Sequence, residues 1–152
     1  MDSATQKLRK ALEADLPEIL RSLEQAILVV CVVPRAKNER EYSRDQQLFR
    51  TTVQAVARQS HGLIDGTDYL CRHTNTKTTH LGNKISNNDG RDPYPGITEH
   101  TCEVSSDVEG KDILLVDDIY TPDVNIDEDA IQALLRVGAR SVTFYAIGRV
   151  IR

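Results

Sequence analysis

The chain has 152 residues, which is long enough for one domain with a sizeable buried core. Charged residues make up 28% and the net charge is −4, which argues against broad, non-specific binding to nucleic acid. No apolar run approaches the roughly 20 residues of a membrane-spanning helix, and the opening MDSATQKLRK lacks the apolar core of a signal peptide. Three cysteines without paired spacing are typical of a reducing compartment, so we expect a cytoplasmic protein.

The N-terminal quarter predicts helix followed by strand. Apolar spacing predicts a helix over 5–14, and Asp15 with Pro17 predicts that a second helical segment starts there, so 1–25 form an N-terminal helical segment. The run AILVVCVV at 26–33 consists mostly of β-favouring residues, and it predicts the first strand of a sheet.

A second helix is predicted after a polar loop. Ser43 and Gln46 have the spacing of a capping box, so we expect a helix from there to about residue 60, where Gly62 ends it. Its predicted buried face comprises Leu48, Val53 and Val56.

The second half continues the alternation of strands and helices. Short strands are predicted at 69–73 and 99–104, and the 73–99 segment between them has no hydrophobic periodicity, so it is either functional or mobile. A helix over 126–136 and a strand over 141–147 complete the pattern. The order predicts one α/β domain, 1–152, with a mostly parallel sheet.

The most informative stretch is an apolar run that leads into two acids. Ile113–Val116 is typical of a central strand of a parallel sheet, and Asp117 and Asp118 follow it directly. Adjacent carboxylates at the end of a buried strand are costly unless they bind something. Ligands of open α/β sheets lie at the carboxyl ends of the strands, and the helix start that follows can bind an anion. The pattern predicts a site for a phosphorylated, hydroxylated ligand, although an N-cap or salt-bridge role would also explain the acids.

The segment ILLVDDIYT resembles the ribose-phosphate motif of type I phosphoribosyltransferases, in which two acids precede a T-[TS]-G-x-T loop. Asp117, Asp118 and Thr121 match that motif. The resemblance implies a doubly wound, mostly parallel sheet with a small hood and a long flexible loop. It implies that Asp117 and Asp118 are the catalytic acids, which hold the ribose hydroxyls of phosphoribosyl pyrophosphate (PRPP) and contact its Mg²⁺ indirectly. It also implies nucleotide metabolism and, since the family often dimerises, a homodimer.

Other binding residues are implied by the same resemblance. The strand CVVP followed by a basic loop is similar to the competence-associated and amidophosphoribosyltransferase branches, so Arg35 and Lys37 are expected to meet pyrophosphate. Arg72 follows a short apolar strand and is expected to point into the cleft; each of these three could instead be an ordinary solvated charge. The residues expected to cradle the 5-phosphate are Thr121, Asp123, Val124 and Asn125.

The phosphate loop departs from the family pattern. Pro122 replaces the second Thr or Ser and removes an N–H donor, Asp123 replaces the Gly, and Asn125 replaces the final Thr. The Asp123 carboxylate and a phosphate about 4 Å away would repel each other by on the order of 4 kcal/mol at an effective dielectric of 20. Two functions therefore stay open: transfer of the phosphoribosyl group to a nitrogen acceptor with release of pyrophosphate, or a non-catalytic PRPP- or nucleotide-binding regulatory or interaction module. Action within a ribonucleoprotein assembly is a third, without direct support from the acidic charge.

A zinc site is a further hypothesis. Cys71 and His73 are two residues apart, as are His100 and Cys102, and on paired strands these four side chains could surround one ion. The spacing matches no known zinc motif, so reduced cysteines and solvent-facing histidines are the simpler interpretation.

Overall fold

The computed structural model describes residues 2–34, 44–73, 97, 101–120 and 125–149, without the side chains of 44–46 and 149. None of the helices in these ranges combines the length and the apolarity needed to cross a bilayer. The elements follow one another as α1 (Ser3–Ser22), β1 (Leu28–Val32), α2 (Arg44–Gln59), β2 (Leu63–Asp65), β3 (Leu70–Arg72), β4 (Cys102–Val104), a 3₁₀ turn (Ser106–Val108), β5 (Asp112–Tyr120), α3 (Ile126–Val137) and β6 (Ser141–Arg149).

Four strands form a parallel sheet in the order β2-β1-β5-β6. Helices α1 and α2 pack on one face, while α3 and the strands β3 and β4 pack on the other. The predicted α/β fold with a doubly wound, mostly parallel sheet is confirmed by this arrangement.

The central strands are buried on both faces, which explains the apolar runs Leu28–Val32 in β1 and Ile113–Val116 in β5. In β1 and β5, one set of alternate side chains contacts the helices α1 and α2, and the other set contacts α3. The side chains toward α1 and α2 are Leu28, Val30, Val32, Leu114 and Val116. Those toward α3 are Val29, Cys31, Ile113 and Leu115.

The strands β3 and β4 form a separate antiparallel pair. Leu70 lies opposite Val104, and Arg72 lies opposite Cys102. The two predicted short strands are therefore confirmed, each shorter than expected. Of the segment between them, where the long loop is predicted, the structure describes only His73, Ile97 and Thr101, and Ile97 is buried in the core next to α3.

Helix α1 is continuous, so the predicted restart at Asp15 and Pro17 is wrong. Asp2 caps the helix by accepting a hydrogen bond from the Thr5 N–H at 2.7 Å, and Pro17 lies inside. A proline in a helix interior costs about 3 kcal/mol, but buried leucines before and after it hold the helix against the sheet. Each contributes roughly 1.5–3 kcal/mol. These leucines are Leu12, Leu16 and Leu20.

The second helix and the strand after it differ from expectation in detail. Val53 and Val56 are buried as predicted, Leu48 is only half-buried, and Phe49 completes the apolar face. The proposed cap at Ser43 lies outside the described residues. Strand β2 was not predicted, because three residues are too short to show a period of two.

Candidate functional site at the carboxyl ends of β1 and β5

The strand order places a switch point between β1 and β5. The chain leaves β1 through α2 on one face toward β2, whereas it leaves β5 through α3 on the other face toward β6. Connections that diverge in this way leave a crevice at the carboxyl ends of the two strands, where ligands of such sheets bind. The Val33 N–H donates to the Val116 carbonyl at 3.0 Å, so the segment that leads to Pro34 runs beside Asp117.

The acid pair lies within β5 and not at its end. The strand was expected to end in the acid pair, but its pairing with β6 continues to Tyr120, opposite Arg149. Asp117 is 9% exposed, and Asp118 is half-buried. Asp117 Oδ1 accepts the Asp118 N–H at 2.8 Å, and Asp118 Oδ1 accepts the Ile119 N–H at 2.8 Å.

The carboxyl group of Asp117 is in contact with Asp127 of α3 and with Asp118. Burial raises the pKa of Asp117 well above its usual range, and the contacts with Asp127 and then Asp118 raise it further. Burial also raises the pKa of Asp127; its hydrogen bond with Asp117 acts the other way, while the charges of Glu128 and Asp118 add to the increase. Two adjacent buried carboxyl groups with raised pKa values are typical of a pair that shares a proton.

Asp127 is almost completely enclosed, with 1% of its surface exposed. Among the described residues, no N–H, hydroxyl or ammonium group donates to either of its carboxylate oxygens. A hydrogen bond between the carboxyl groups of Asp127 and Asp117 would require a proton on one of them, since two carboxylates cannot donate to each other.

The start of α3 carries further acids. Asp127, Glu128 and Asp129 lie in its first turn, as the sequence indicates, and Asn125 is the N-cap residue without a side-chain capping bond. Glu128 Oε1 accepts the Tyr120 hydroxyl at 2.8 Å. The Tyr120 ring packs edge-on against Phe144 with centroids 5.9 Å apart. Tyr120 therefore connects the end of β5 to α3 and β6.

Only some of the predicted binding residues can be placed. Asn125 lies at the exposed start of α3, next to the acids. Arg72 is 2% exposed, on the face of β3 that carries Leu70 into the core. The expectation that Arg72 points into the cleft and meets a ligand stays a prediction. Arg35, Lys37, Thr121, Asp123 and Val124 lie outside the described residues.

Asp127 is the site residue that sequence reasoning missed. Acids in the first turn of a helix ordinarily interact with the helix dipole at the surface, and the motif assigns no role to this position. Its spacing contained the signal: Asp127, Ala130 and Leu134 recur at i, i+3 and i+7, so they share one face of the helix, and all three are buried.

The proposed zinc ligands do not converge. Cys71 lies opposite Glu103 and Cys102 opposite Arg72, so the two cysteines point to opposite faces of the β3–β4 pair. His100 lies outside the described residues. Within the described ranges, no group of three or more His, Cys, Asp or Glu side chains is arranged to hold a metal ion. The hypothesis of one zinc ion bound by both cysteines is therefore wrong.

Comparisons with known proteins find similarity at the level of the fold only. No protein-family model matches the chain, and no curated protein matches it. Among solved structures, the fold is similar to adenine phosphoribosyltransferase from Saccharomyces cerevisiae, in a complex with adenine and D-2,5-dideoxy-2,5-imino-altritol 1,6-bisphosphate. The identity is 12%, the TM-score is 0.49, and the match covers 94% of this chain and 68% of that one. A likeness at this level carries no argument about activity, and the fold class rests on the strand order and register above.

Proposed function

We propose that the chain is a phosphoribosyltransferase-like protein that binds PRPP in the crevice between the carboxyl ends of β1 and β5. The observation that carries the proposal is the switch point between these strands with Asp117 and Asp118 beside it. Asp118 is half-buried and can accept hydrogen bonds from ribose hydroxyls, and its N–H donates to the Asp117 carboxylate.

The other residues that we propose contact PRPP are assigned from the sequence motif. The chain that leaves β1 beside Asp117 leads to Arg35 and Lys37, which we propose meet the pyrophosphate. The loop into α3 would cradle the 5-phosphate through Thr121, Asp123, Val124 and Asn125. Guanidinium and ammonium groups suit phosphate oxygens, and so do backbone N–H groups at a helix start.

Magnesium fits this site as an ion that the ligand carries. Carboxylate oxygens are ligands that Mg²⁺ prefers, but the described side chains offer no group of three that could hold the ion alone. The residues beside a ligand-bound ion would be Asp117 and Asp118, and the ion would offset the repulsion between the acids and the phosphates.

The proposed reaction is transfer of the phosphoribosyl group to a nitrogen acceptor. The acceptor nitrogen forms a bond to the anomeric carbon as the bond from that carbon to pyrophosphate breaks, and pyrophosphate leaves with the electron pair. The carboxylate of Asp118 would orient the ribose and stabilise positive charge that develops on the ring.

Release of pyrophosphate tests the transferase. PRPP and Mg²⁺ are supplied with a panel of bases, amines and ammonia, and turnover by wild type is compared with that of the Asp117→Asn, Asp118→Asn double variant. A matched control is Asp129→Asn, which removes one charge in the first turn of α3. The proposal predicts turnover with at least one acceptor, lost in the double variant and kept in the control; unchanged turnover in the double variant would overturn it.

A non-catalytic binding module is the second candidate. The contact of Asp117 with Asp127 favours it, because a carboxyl group engaged in this way is less available to a sugar. Saturable binding of PRPP with Mg²⁺ and no turnover on any acceptor would support this candidate. Absence of binding would instead indicate a module that interacts with proteins.

The proposal includes a cytoplasmic homodimer. Sedimentation equilibrium of the purified chain at several concentrations tests the assembly, and a single species at the monomer mass throughout would exclude the dimer.

A further inference from the structure

We infer that Asp127 limits the affinity of the crevice for its ligand by engaging the Asp117 carboxyl group. The inference rests on the proposed function, since it concerns the same site. It assigns to the first turn of α3 an autoinhibitory contact that the phosphoribosyltransferase motif does not contain.

Asp127 is held where it must interact with Asp117. It lies on the buried face of α3 with Ala130 and Leu134, so the packing of the helix fixes its position. Among the described residues, neither of its carboxylate oxygens has a hydrogen-bond donor. Asp117 follows Ile113 and Leu115 at a spacing of two, so its side chain lies on the face of β5 that packs against α3.

The Asp117 carboxyl group is consequently occupied. Its Oδ1 already accepts the Asp118 N–H at 2.8 Å, and on the α3 side of the sheet the group faces the buried carboxyl group of Asp127. A ribose hydroxyl that donates to Asp117 has to compete with that contact. Displacement would leave Asp127 buried without any partner, which is unfavourable for a polar group. The ligand therefore binds more weakly than it would if position 127 were apolar.

The phosphate groups of the ligand face the same obstacle. Asp127, Asp118 and Glu128 place negative charge around the start of α3, where a helix terminus would otherwise attract an anion. Removal of the Asp127 side chain takes away the contact with Asp117, and the negative charge that the two carboxyl groups share is then left on Asp117, where it can accept hydrogen bonds from the ribose.

The same helix turn provides a matched control in Asp129. It is an acid of the same size, it is half-buried, and it does not contribute to the raised pKa of Asp117. A general effect of acidity near the helix start would appear at both positions, whereas an effect of the contact would appear only at Asp127.

Calorimetric titration of the full chain with PRPP and Mg²⁺ tests the inference in wild type, Asp127→Ala and Asp129→Ala. We expect Asp127→Ala to bind roughly tenfold more tightly or better, since one tenfold step corresponds to about 1.4 kcal/mol, and Asp129→Ala to stay within about threefold of wild type. Equal or weaker binding by Asp127→Ala would overturn the inference, as would equal gains in both variants.

Two further readouts keep the outcomes distinct. Thermal unfolding checks that each variant is folded, and Asp127→Ser, which keeps a residue favoured near helix starts, replaces Asp127→Ala if the alanine variant fails to fold. Binding by wild type without a gain at position 127 would overturn the inference alone. Absence of binding in wild type and all variants would overturn the proposed function, and this inference with it.

Discussion

At the scale of single residues, the contact of Asp117 with Asp127 is the least expected feature of the molecule. Buried carboxylates normally have a cationic partner or several N–H donors. In the part of the chain that the structure describes, Asp117 has one backbone donor, the N–H of Asp118, and Asp127 has no N–H, hydroxyl or ammonium donor. Burial and mutual contact raise the pKa of both. The pair therefore stabilises the fold best when it holds a proton.

Because Asp117 and Asp127 have raised pKa values, we expect the stability of the fold to decrease as the pH rises. Both pKa values are higher in the folded chain than the usual 3.8, so the native state binds more protons, and the free energy of unfolding falls as pH increases from about 4 through the raised values. Asp127→Asn should flatten this dependence, because the amide does not ionise. Urea unfolding at pH 5 and pH 8 measures the change, with Asp129→Asn as the control. An equal decrease in wild type and Asp127→Asn would contradict the account.

Asp112 should make the free energy of unfolding depend on pH in the opposite direction, at lower pH. It accepts hydrogen bonds from Arg140 Nε at 3.0 Å and from the Ser141 hydroxyl at 2.6 Å. The hydrogen bonds from Arg140 and then Ser141 lower the pKa of Asp112 to about 2. Its contribution to stability is therefore complete above the usual pKa of 3.8 and is lost as the pH falls through about 2.

Replacement of Asp112 measures that contribution. Asp112→Asn should lower the free energy of unfolding by on the order of 1 kcal/mol at pH 7, since the hydrogen bonds to a charged acceptor weaken while Arg140 remains exposed to water. The difference from wild type should shrink in unfolding experiments near pH 2. A difference that is the same at both pH values would show that charge is not its cause.

At the scale of elements, glycine at the end of β2 is required by close packing. A Cβ atom at Gly66 would lie 2.6 Å from Val29 Cγ1 and 2.8 Å from the Tyr69 ring, whereas one at Gly148 in β6 would lie 3.6 Å from its nearest neighbour, the Asp118 carbonyl oxygen. Gly66→Ala should therefore destabilise the fold by about 1–3 kcal/mol, and Gly148→Ala should be close to neutral. Chemical denaturation of both variants checks the contrast, which an equal loss in both would contradict.

The sequence predicts the long elements well and the short or interrupted ones poorly. Unbroken apolar runs identify β1 and β5, because both strands are buried on two faces. Pro17 suggests a break in α1 that does not occur, since tertiary packing of the leucines on either side outweighs its local cost. The extension of β5 through Asp117 and Asp118 depends on pairing with β6, a long-range effect that no local pattern shows.

At the scale of the whole molecule, the doubly wound sheet brings together segments that are far apart in sequence. The connections from β1 and β5 diverge to opposite faces, so the end of β1 and the acids of β5 meet at one edge. The motif predicts the location of this site. The approach of Asp127 to Asp117 is not readable from the motif, because it depends on how α3 packs against β5.

Binding of PRPP with Mg²⁺ to the intact chain, measured by calorimetry in wild type and in Asp118→Asn, tests the central claim most directly. The account predicts saturable binding that needs Mg²⁺ and weakens roughly tenfold or more in Asp118→Asn, since a charged acceptor is replaced by an amide at the half-buried position beside the crevice. Asp129→Asn should bind no more weakly than wild type. Absence of binding by wild type, or equal affinity in wild type and Asp118→Asn, would contradict a ribose-phosphate site between β1 and β5.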